Sequence, residues 1–107
     1  MAQIIWTEPA LSDLEAIADY IALDNPAAAQ KLVRRVLGHV DQLETYPESG
    51  SKPPELKGWA YRQIVEPPCR VFYRYERHTV YILHVIRSEQ RLRRTRLAKR
   101  DAERDES

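Results

Sequence analysis

The chain has 107 residues, 17 of them basic and 16 acidic, for a formal net charge of +1, and this length suits a single domain. Its only cysteine is Cys69, which excludes an intrachain disulfide and a cysteine-rich metal site; we expect this residue to be a small apolar filler beside a turn. The apolar runs are far shorter than the roughly 20 residues that span a bilayer. Residues 1–6 also lack a basic segment followed by a long apolar stretch, so we expect a soluble, cytoplasmic protein without membrane contacts.

The small net charge conceals an uneven distribution along the chain. Residues 1–56 contain 4 basic and 9 acidic side chains, residues 57–100 contain 12 and 3, and residues 101–107 contain 1 and 4. The middle block therefore has a net charge of +9, and ten of its twelve basic residues are arginine. Arginine binds phosphates and carboxylates in a bidentate manner. This block indicates a surface that meets phosphate groups or an acidic partner, although a solvated basic face is the simpler alternative.

The first half of the chain predicts a short strand followed by two helices. Residues 3–6 form an apolar run typical of a strand. Thr7 is a suitable N-cap and Pro9 suits a first turn, so we expect a helix of about four turns to begin there. Asn25 and Pro26 end that pattern and begin a second helix, and the short link predicts an antiparallel helix hairpin. The apolar stripes comprise Leu11, Leu14, Ile17, Ala18 and Ile21 in the first helix and Ala29, Leu32, Val33, Val36, Leu37, Val40 and Leu43 in the second.

The second half of the chain predicts a β-meander. Residues 47–58 are rich in proline and glycine, which predicts a loop. Three segments rich in aromatic and β-branched residues follow at 60–66, 70–75 and 79–86, separated by short turns. The last segment is almost wholly apolar, so we expect a central strand covered on at least one face. In the middle strand, alternation places Arg70, Phe72 and Arg74 on one side and Val71, Tyr73 and Tyr75 on the other.

These elements predict an α+β fold with the order β-α-α-β-β-β, in which the helix hairpin packs on one face of an antiparallel sheet. A basic segment of helical composition, Arg91–Arg100, follows the last strand. The other face of the sheet, which carries part of the arginine set, is either open or covered by this C-terminal segment. We expect one domain over residues 1–100 and a frayed tail over residues 101–107.

Three stretches of the sequence form a recognisable set. They are Ala10–Ile17 with Tyr20, in the pattern A-x-x-D-L-x-x-I-x-x-Y; Ala28-Ala29 with Pro47–Gly50; and Tyr61-Arg62 with Arg70–Arg74 and Val85–Arg87. In order and spacing they resemble the RelE/ParE family of toxins over nearly the whole chain. The resemblance implies a growth-arresting toxin of a bacterial type II toxin–antitoxin system, held silent by an antitoxin encoded beside it.

The resemblance implies one of two targets, and we favour the first, in which the toxin enters the ribosome and cuts the bound mRNA. Cleavage without a metal needs activation of the 2′-OH, protonation of the leaving oxygen and stabilisation of the phosphorane charge, and arginine suits the third task. We expect no metal ion and no organic cofactor. By resemblance the catalytic residues are Arg70 and Arg87, with Arg62 as a third positive charge. Further RNA- or target-binding residues are Lys52, Lys57, Arg74, Arg91 and Arg94.

The alternative is the ParE branch of the family, whose members block DNA gyrase and are not known for nuclease chemistry. Ser88–Leu92 include no tyrosine or histidine of the kind that RelE-like enzymes commonly carry after the last strand. Glu55, Glu89 or His84 could substitute as acid or base, although a satisfied core histidine is the simpler interpretation of His84. The long hairpin and the basic C-terminal run resemble ParE, whereas the histidine and the methionine–aspartate pair often found after the last ParE strand are absent. A binding module without toxicity is a third interpretation.

Every toxin interpretation implies an antitoxin as partner. We expect the C-terminal segment of the antitoxin to place apolar anchors in a groove by the helix hairpin and to make acidic or strand contacts near the basic sheet. The residues predicted to receive the apolar anchors are Leu14, Ile17, Ile21, Leu32 and Val36.

Overall fold

The computed structural model describes residues 1–104 and follows the predicted order of elements. Strand β1 spans Gln3–Trp6, and helices α1 and α2 span Glu8–Ala22 and Pro26–Asp41. Strands β2, β3 and β4 span Tyr61–Glu66, Cys69–Glu76 and Thr79–Arg87, and helix α3 spans Arg94–Glu103. This order confirms the predicted α+β class. None of these helices combines the length and the apolarity that crossing a bilayer requires.

The strands form one mixed sheet with the order β1-β4-β3-β2. Strands β2, β3 and β4 form the predicted antiparallel meander, and β4 is central, as its apolar sequence indicated. The prediction did not include a parallel pair, yet β1 runs parallel to the first half of β4, from Gln3 opposite Thr79 to Trp6 opposite Ile82. A parallel pair is possible because β1 and β4 are not consecutive in the chain. The helix hairpin carries the chain across the sheet to β2 at the far edge, and the meander returns it to β4 beside β1. Beyond Ile82, β4 has no strand on its β1 side within residues 1–104.

The beginnings of α1 and α2 are those that the sequence predicts. The hydroxyl oxygen of Thr7 accepts the backbone N–H of Ala10 at 3.4 Å, and the hydroxyl itself donates to the carbonyl of Ile82 at 2.7 Å. Asn25 caps α2 by accepting the backbone N–H of Ala28 at 3.0 Å. These side chains satisfy donors that a helix leaves free at its N-terminus. Thr7 therefore both begins α1 and ties it to β4.

Two apolar cores lie on opposite faces of the sheet. On the hairpin face, α1 and α2 pack against β3 and β4, and Leu32, Val36 and Tyr73 are at most 1% exposed. On the other side, here called the α3 face, Leu92 and Leu97 pack on the sheet. The C-terminal segment therefore covers this face of the sheet. The sequence analysis had considered both an open face and a face covered by this segment. The residues beneath it are Leu56, Tyr61, Phe72, Leu83 and Ile86.

The apolar residues predicted to bind an antitoxin lie inside the hairpin-face core. Leu14, Ile17, Leu32 and Val36 are all at most 8% exposed, and Ile21 is partly buried against them. The stripe that amphipathic periodicity reveals is the side of each helix that packs on the protein's own sheet. These residues therefore offer little exposed surface in the isolated chain, and their contact with an antitoxin stays a prediction.

Helix α3 extends past the predicted end of the domain. Residues 101–103 are helical, and Asp101 and Arg104 form ion pairs with side chains of the sheet. Residues 101–104 therefore differ from the expected frayed tail, because their charged side chains form ion pairs with side chains of the sheet. Residues 105–107 lie outside the described part of the chain.

Candidate functional site

Arg70 lies on the α3 face, near the start of β3, opposite Ile86 of the α3-face core. Its guanidinium group donates through Nε to Gln63 Oε1 at 2.8 Å and through both terminal nitrogens to the Glu55 carboxylate at 2.9 and 3.0 Å. It also lies over the ring of Phe72, with Cζ 4.9 Å from the ring centroid. Only 14% of the Arg70 side chain is exposed. The protein's own groups therefore hold this guanidinium in a fixed orientation.

Arg62 and Arg87 point to the hairpin face. Directly opposed residues of neighbouring strands point to the same side of a sheet. Arg62 is opposite Tyr73 and Arg87 is opposite Cys69, and both of these partners belong to the hairpin-face core. The structure therefore does not bring the three predicted catalytic arginines together, because Arg70 points to the other face.

Arg62 and Arg87 also contact acidic side chains of their own chain. Arg62 lies 3.7 Å from a carboxylate oxygen of Glu48, and Arg87 Nε lies 3.3 Å from Glu89 Oε1. The Arg87 guanidinium is placed over the ring of Tyr20, with Cζ 4.9 Å from the centroid. Glu89, considered as a substitute acid or base, is thus a partner of Arg87 on the exposed surface.

The other predicted target-binding residues divide into two groups. Lys52 and Lys57 are exposed in the loop before β2. Arg74 instead pairs with Asp101 at 2.6 Å and with Glu76 at 2.8 Å, and the hydrogen bond that its guanidinium donates to Asp101 raises the pKa of Arg74. Arg74 therefore holds α3 on the sheet, whereas the two lysines remain accessible.

Four exposed arginines, here called the arginine segment, precede and begin α3: Arg91, Arg93, Arg94 and Arg96. None of them forms an ion pair with another side chain among residues 1–104. A cleft of about 440 Å³ on one side is lined by Glu55, Leu92 and the first three of these arginines. A second cleft of about 500 Å³ lies against α1 and β4. The structure thus places two predicted target-binding residues, Arg91 and Arg94, in one accessible basic surface.

The Asp13 carboxylate closes the free edge of β4. Its Oδ2 accepts the backbone N–H of Val85 at 3.0 Å and lies 2.6 Å from His84 Nδ1, and Arg100 binds both carboxylate oxygens. Arg100 also donates to the carbonyl of Leu83 at 3.0 Å. Burial raises the pKa of Asp13, but the hydrogen bonds from His84, Arg100 and Val85 outweigh burial and leave the pKa lowered. The interpretation of His84 as a satisfied core histidine is confirmed.

A second ionic cluster, here called the α3 latch, fixes the end of α3. Asp101 accepts hydrogen bonds from Arg74, from the Tyr61 hydroxyl at 2.9 Å and from Arg104 at 2.8 Å, and Arg104 also pairs with Glu76. Burial and the hydrogen bond to Asp101 raise the pKa of Tyr61 to about 12. Sequence reasoning missed this cluster. The spacing of residues 97, 100, 101 and 104 would have indicated one helix face.

Cys69 is fully buried in the hairpin-face core, and burial raises the pKa of its thiol. A buried, protonated thiol is a poor nucleophile, so the expectation of an apolar filler is confirmed. Within residues 1–104, no three side chains of His, Cys, Asp or Glu cluster closely enough to hold a metal ion.

Comparison with known proteins places the chain among toxins. The family model described as ParE toxin of type II toxin-antitoxin system, parDE, matches residues 4–92. Toxin RelE2 of Caulobacter vibrioides is 40% identical over 91 residues, which cover 81% of this chain and 99% of that protein. Putative toxin Y4kP of Sinorhizobium fredii is 38% identical over 88 residues, covering 82% and 90%.

A solved structure supports the same relationship. A chain described as belonging to the chromosomal ParDE TA system from P. aeruginosa superposes with a TM-score of 0.67 at 28% identity, covering 81% of this chain and 96% of that one. The family model, which matches residues 4–92, extends over most of β1, the helix hairpin and the meander. The chain belongs to the ParE toxin family, within the RelE/ParE superfamily of type II toxin–antitoxin systems.

Proposed function

We propose that this toxin arrests growth by binding DNA gyrase, the alternative target of the sequence analysis, and that it does not cut mRNA. One observation carries the proposal: the three predicted catalytic arginines lie on two faces of the sheet, each against a carboxylate of its own chain. A nuclease needs its positive charges to converge on one phosphate. Moreover, α3 covers the face on which Arg70 lies.

Binding a protein target needs an accessible surface of suitable charge, and the arginine segment supplies one. Its four side chains are exposed and free of ion pairs within the described residues. Arginine is enriched in protein interfaces, where its planar group makes several hydrogen bonds at once. We therefore assign the contact with gyrase to Arg91, Arg93, Arg94 and Arg96.

A cognate antitoxin is the second proposed partner. The apolar stripe that the sequence predicted is mostly buried in the hairpin-face core, so acidic residues that cover the arginine segment are the simplest means of neutralisation. Such contacts would block the proposed gyrase surface directly.

Inducible expression in a bacterial host tests the target. Plasmid supercoiling, an SOS reporter and RNA 5′ ends are followed together after growth slows. We expect relaxed plasmid DNA and an SOS response with intact mRNA. Arg70→Ala and Arg87→Ala should remain toxic, whereas alanine at all four positions of the arginine segment should abolish toxicity. Lys31→Ala/Arg34→Ala is the control, because it removes exposed charge from α2, and thermal melting confirms that each variant folds.

Cleavage of mRNA is the second candidate function. Arg70, a predicted catalytic residue, pairs with Glu55, and Glu55 also lines the basic cleft of about 440 Å³, so this arginine lies near a basic surface. One relative of this chain bears the name Toxin RelE2. New RNA ends within translated codons that disappear in Arg70→Ala, with normal supercoiling, would establish cleavage and overturn the gyrase proposal.

A further inference from the structure

We propose that two copies of this chain form a dimer across the cleft of about 500 Å³ that lies between α1 and the arginine segment. In this dimer, α1 of each copy lies on the arginine segment of the other. The contact is independent of the proposed target, because it joins two copies of one chain and needs neither gyrase nor an antitoxin. If the arginine segment binds gyrase as proposed above, the dimer is a form of the toxin in which that surface is covered.

The outward side of α1 carries only negative charge. Helix α1 contains four acidic residues and no basic one. Three of them, Glu8, Glu15 and Asp19, are exposed, and helical spacing places them on one stripe, here called the acidic stripe. Within residues 1–104, none of the three forms an ion pair with a basic side chain. The acidic stripe is therefore a charged helix face for which the described part of the chain supplies no partner.

The acidic stripe and the arginine segment lie on opposite sides of the same cleft. On the α1 side the cleft is lined by Ala16, which is exposed and lies next to the acidic stripe on the helix surface. On the other side it is lined by Arg91, Arg93 and Arg96 of the arginine segment. Two surfaces of opposite charge therefore border one cleft, and neither is neutralised by an ion pair within residues 1–104.

This arrangement is complementary to itself. A two-fold axis through the cleft brings the acidic stripe of each copy onto the arginine segment of the other, and such symmetric contacts are the commonest in protein dimers. An acidic surface large enough to cross the cleft would match the arginine segment but would be repelled by the acidic stripe. A second copy carries both charges in the matching order. Leu11, which is 45% exposed on α1, adds apolar area beside the stripe.

Sedimentation velocity of the isolated protein tests the proposal. At about 0.05 M salt we expect a monomer–dimer equilibrium with a dissociation constant of about 10 µM, as suits a small and mainly polar interface. Raising the salt to about 0.5 M should weaken the association at least about tenfold, because the screening length falls about threefold.

Charge reversal locates the contact. The acidic-stripe variant Glu15→Lys/Asp19→Lys and the arginine-segment variant Arg93→Glu/Arg96→Glu should each be monomeric at low salt, because like charges then face each other. Mixed in equal amounts, the two variants should form a dimer, since every altered surface again faces the opposite charge. All four positions are exposed, and thermal melting confirms that each variant folds.

The matched control is Lys31→Glu/Arg34→Glu, which reverses the same number of charges at exposed positions of α2, away from the cleft. This control should dimerise like the unaltered protein, and it should bind the acidic-stripe variant much more weakly than the arginine-segment variant does. A chain that is monomeric at low salt, or a dimer that survives either charge reversal, overturns the proposal. It is equally overturned if the mixed variants stay monomeric, or if the assembly grows beyond a dimer as the protein concentration rises.

Discussion

The two faces of the sheet are closed by different kinds of contact. On the hairpin face, two long helices bury an apolar layer in which Leu32 and Val36 are at most 1% exposed. On the α3 face, the C-terminal segment contributes Leu92 and Leu97, and ion pairs at the end of α3 complete the attachment. The long helices could be recognised from their periodicity, whereas the short charged helix was in part taken for a frayed tail.

The two faces should therefore respond differently to solution conditions. Apolar burial does not depend on ionisation, whereas partly exposed ion pairs weaken with salt and with loss of either charge. We therefore expect α3 to detach from the sheet before the hairpin does, as a local unit of lower stability.

The largest effect is expected in the apolar layer of the hairpin face. Leu32→Ala should lower the free energy of unfolding by about 2–5 kcal/mol, because it removes buried methyl groups and leaves a cavity. Urea denaturation measures the change. Leu37→Ala on the same helix is the control, since Leu37 is 38% exposed and should cost much less. Equal losses for the two variants would contradict the assignment of this layer as the main core.

A smaller loss of stability is expected when the Asp13 carboxylate, which links α1 to α3 and to β4, is removed. Asp13→Asn should lower the free energy of unfolding by about 1–3 kcal/mol, because Arg100 and His84 lose a charged acceptor in a partly buried position. The same urea experiment detects the change. Asp19→Asn, exposed on the same helix, should have little effect. If both substitutions are equally mild, Asp13 does not hold α3 to α1.

Weakening the α3 latch should have a smaller effect on stability, confined to α3. Asp101→Asn should speed amide hydrogen exchange in α3 while leaving α1 and α2 unchanged, and it should alter the global free energy by only about 1 kcal/mol. Added salt should reproduce part of this change in the unaltered protein. Glu103→Gln, exposed on the same helix, is the control. Faster exchange in α2 as well would show that the two faces unfold together.

The smallest effect is the acid dependence of stability. Because the pKa of Asp13 is lowered in the folded protein, its contribution is complete above the ordinary aspartate pKa and is lost as the pH falls through the lowered value. Urea midpoints measured from neutral pH downward should therefore fall less steeply in Asp13→Asn than in the unaltered protein. Parallel curves would exclude Asp13 as a source of the acid sensitivity.

Local sequence patterns were sufficient to predict the helices and strands and part of how they pack. Thr7 and Asn25 marked the helix starts, and alternation in β3 assigned Phe72 and Tyr73 to opposite faces, as the two cores confirm. The candidate site could not be assembled in this way. Arg62, Arg70 and Arg87 were grouped by resemblance, but strand register decides which face each one reaches.

The order and kind of the elements, the uneven distribution of charge and the membership of a toxin family could all be recognised in the amino-acid sequence. Each of these depends on residues a few positions apart or on the order of motifs along the chain. Three features became visible only in the packed chain: β1 runs parallel to β4, the predicted antitoxin stripe is buried, and Asp13 contacts Arg100, 87 positions away in the sequence. Such contacts depend on how distant segments pack, and a local pattern contains no information about which partner that packing supplies.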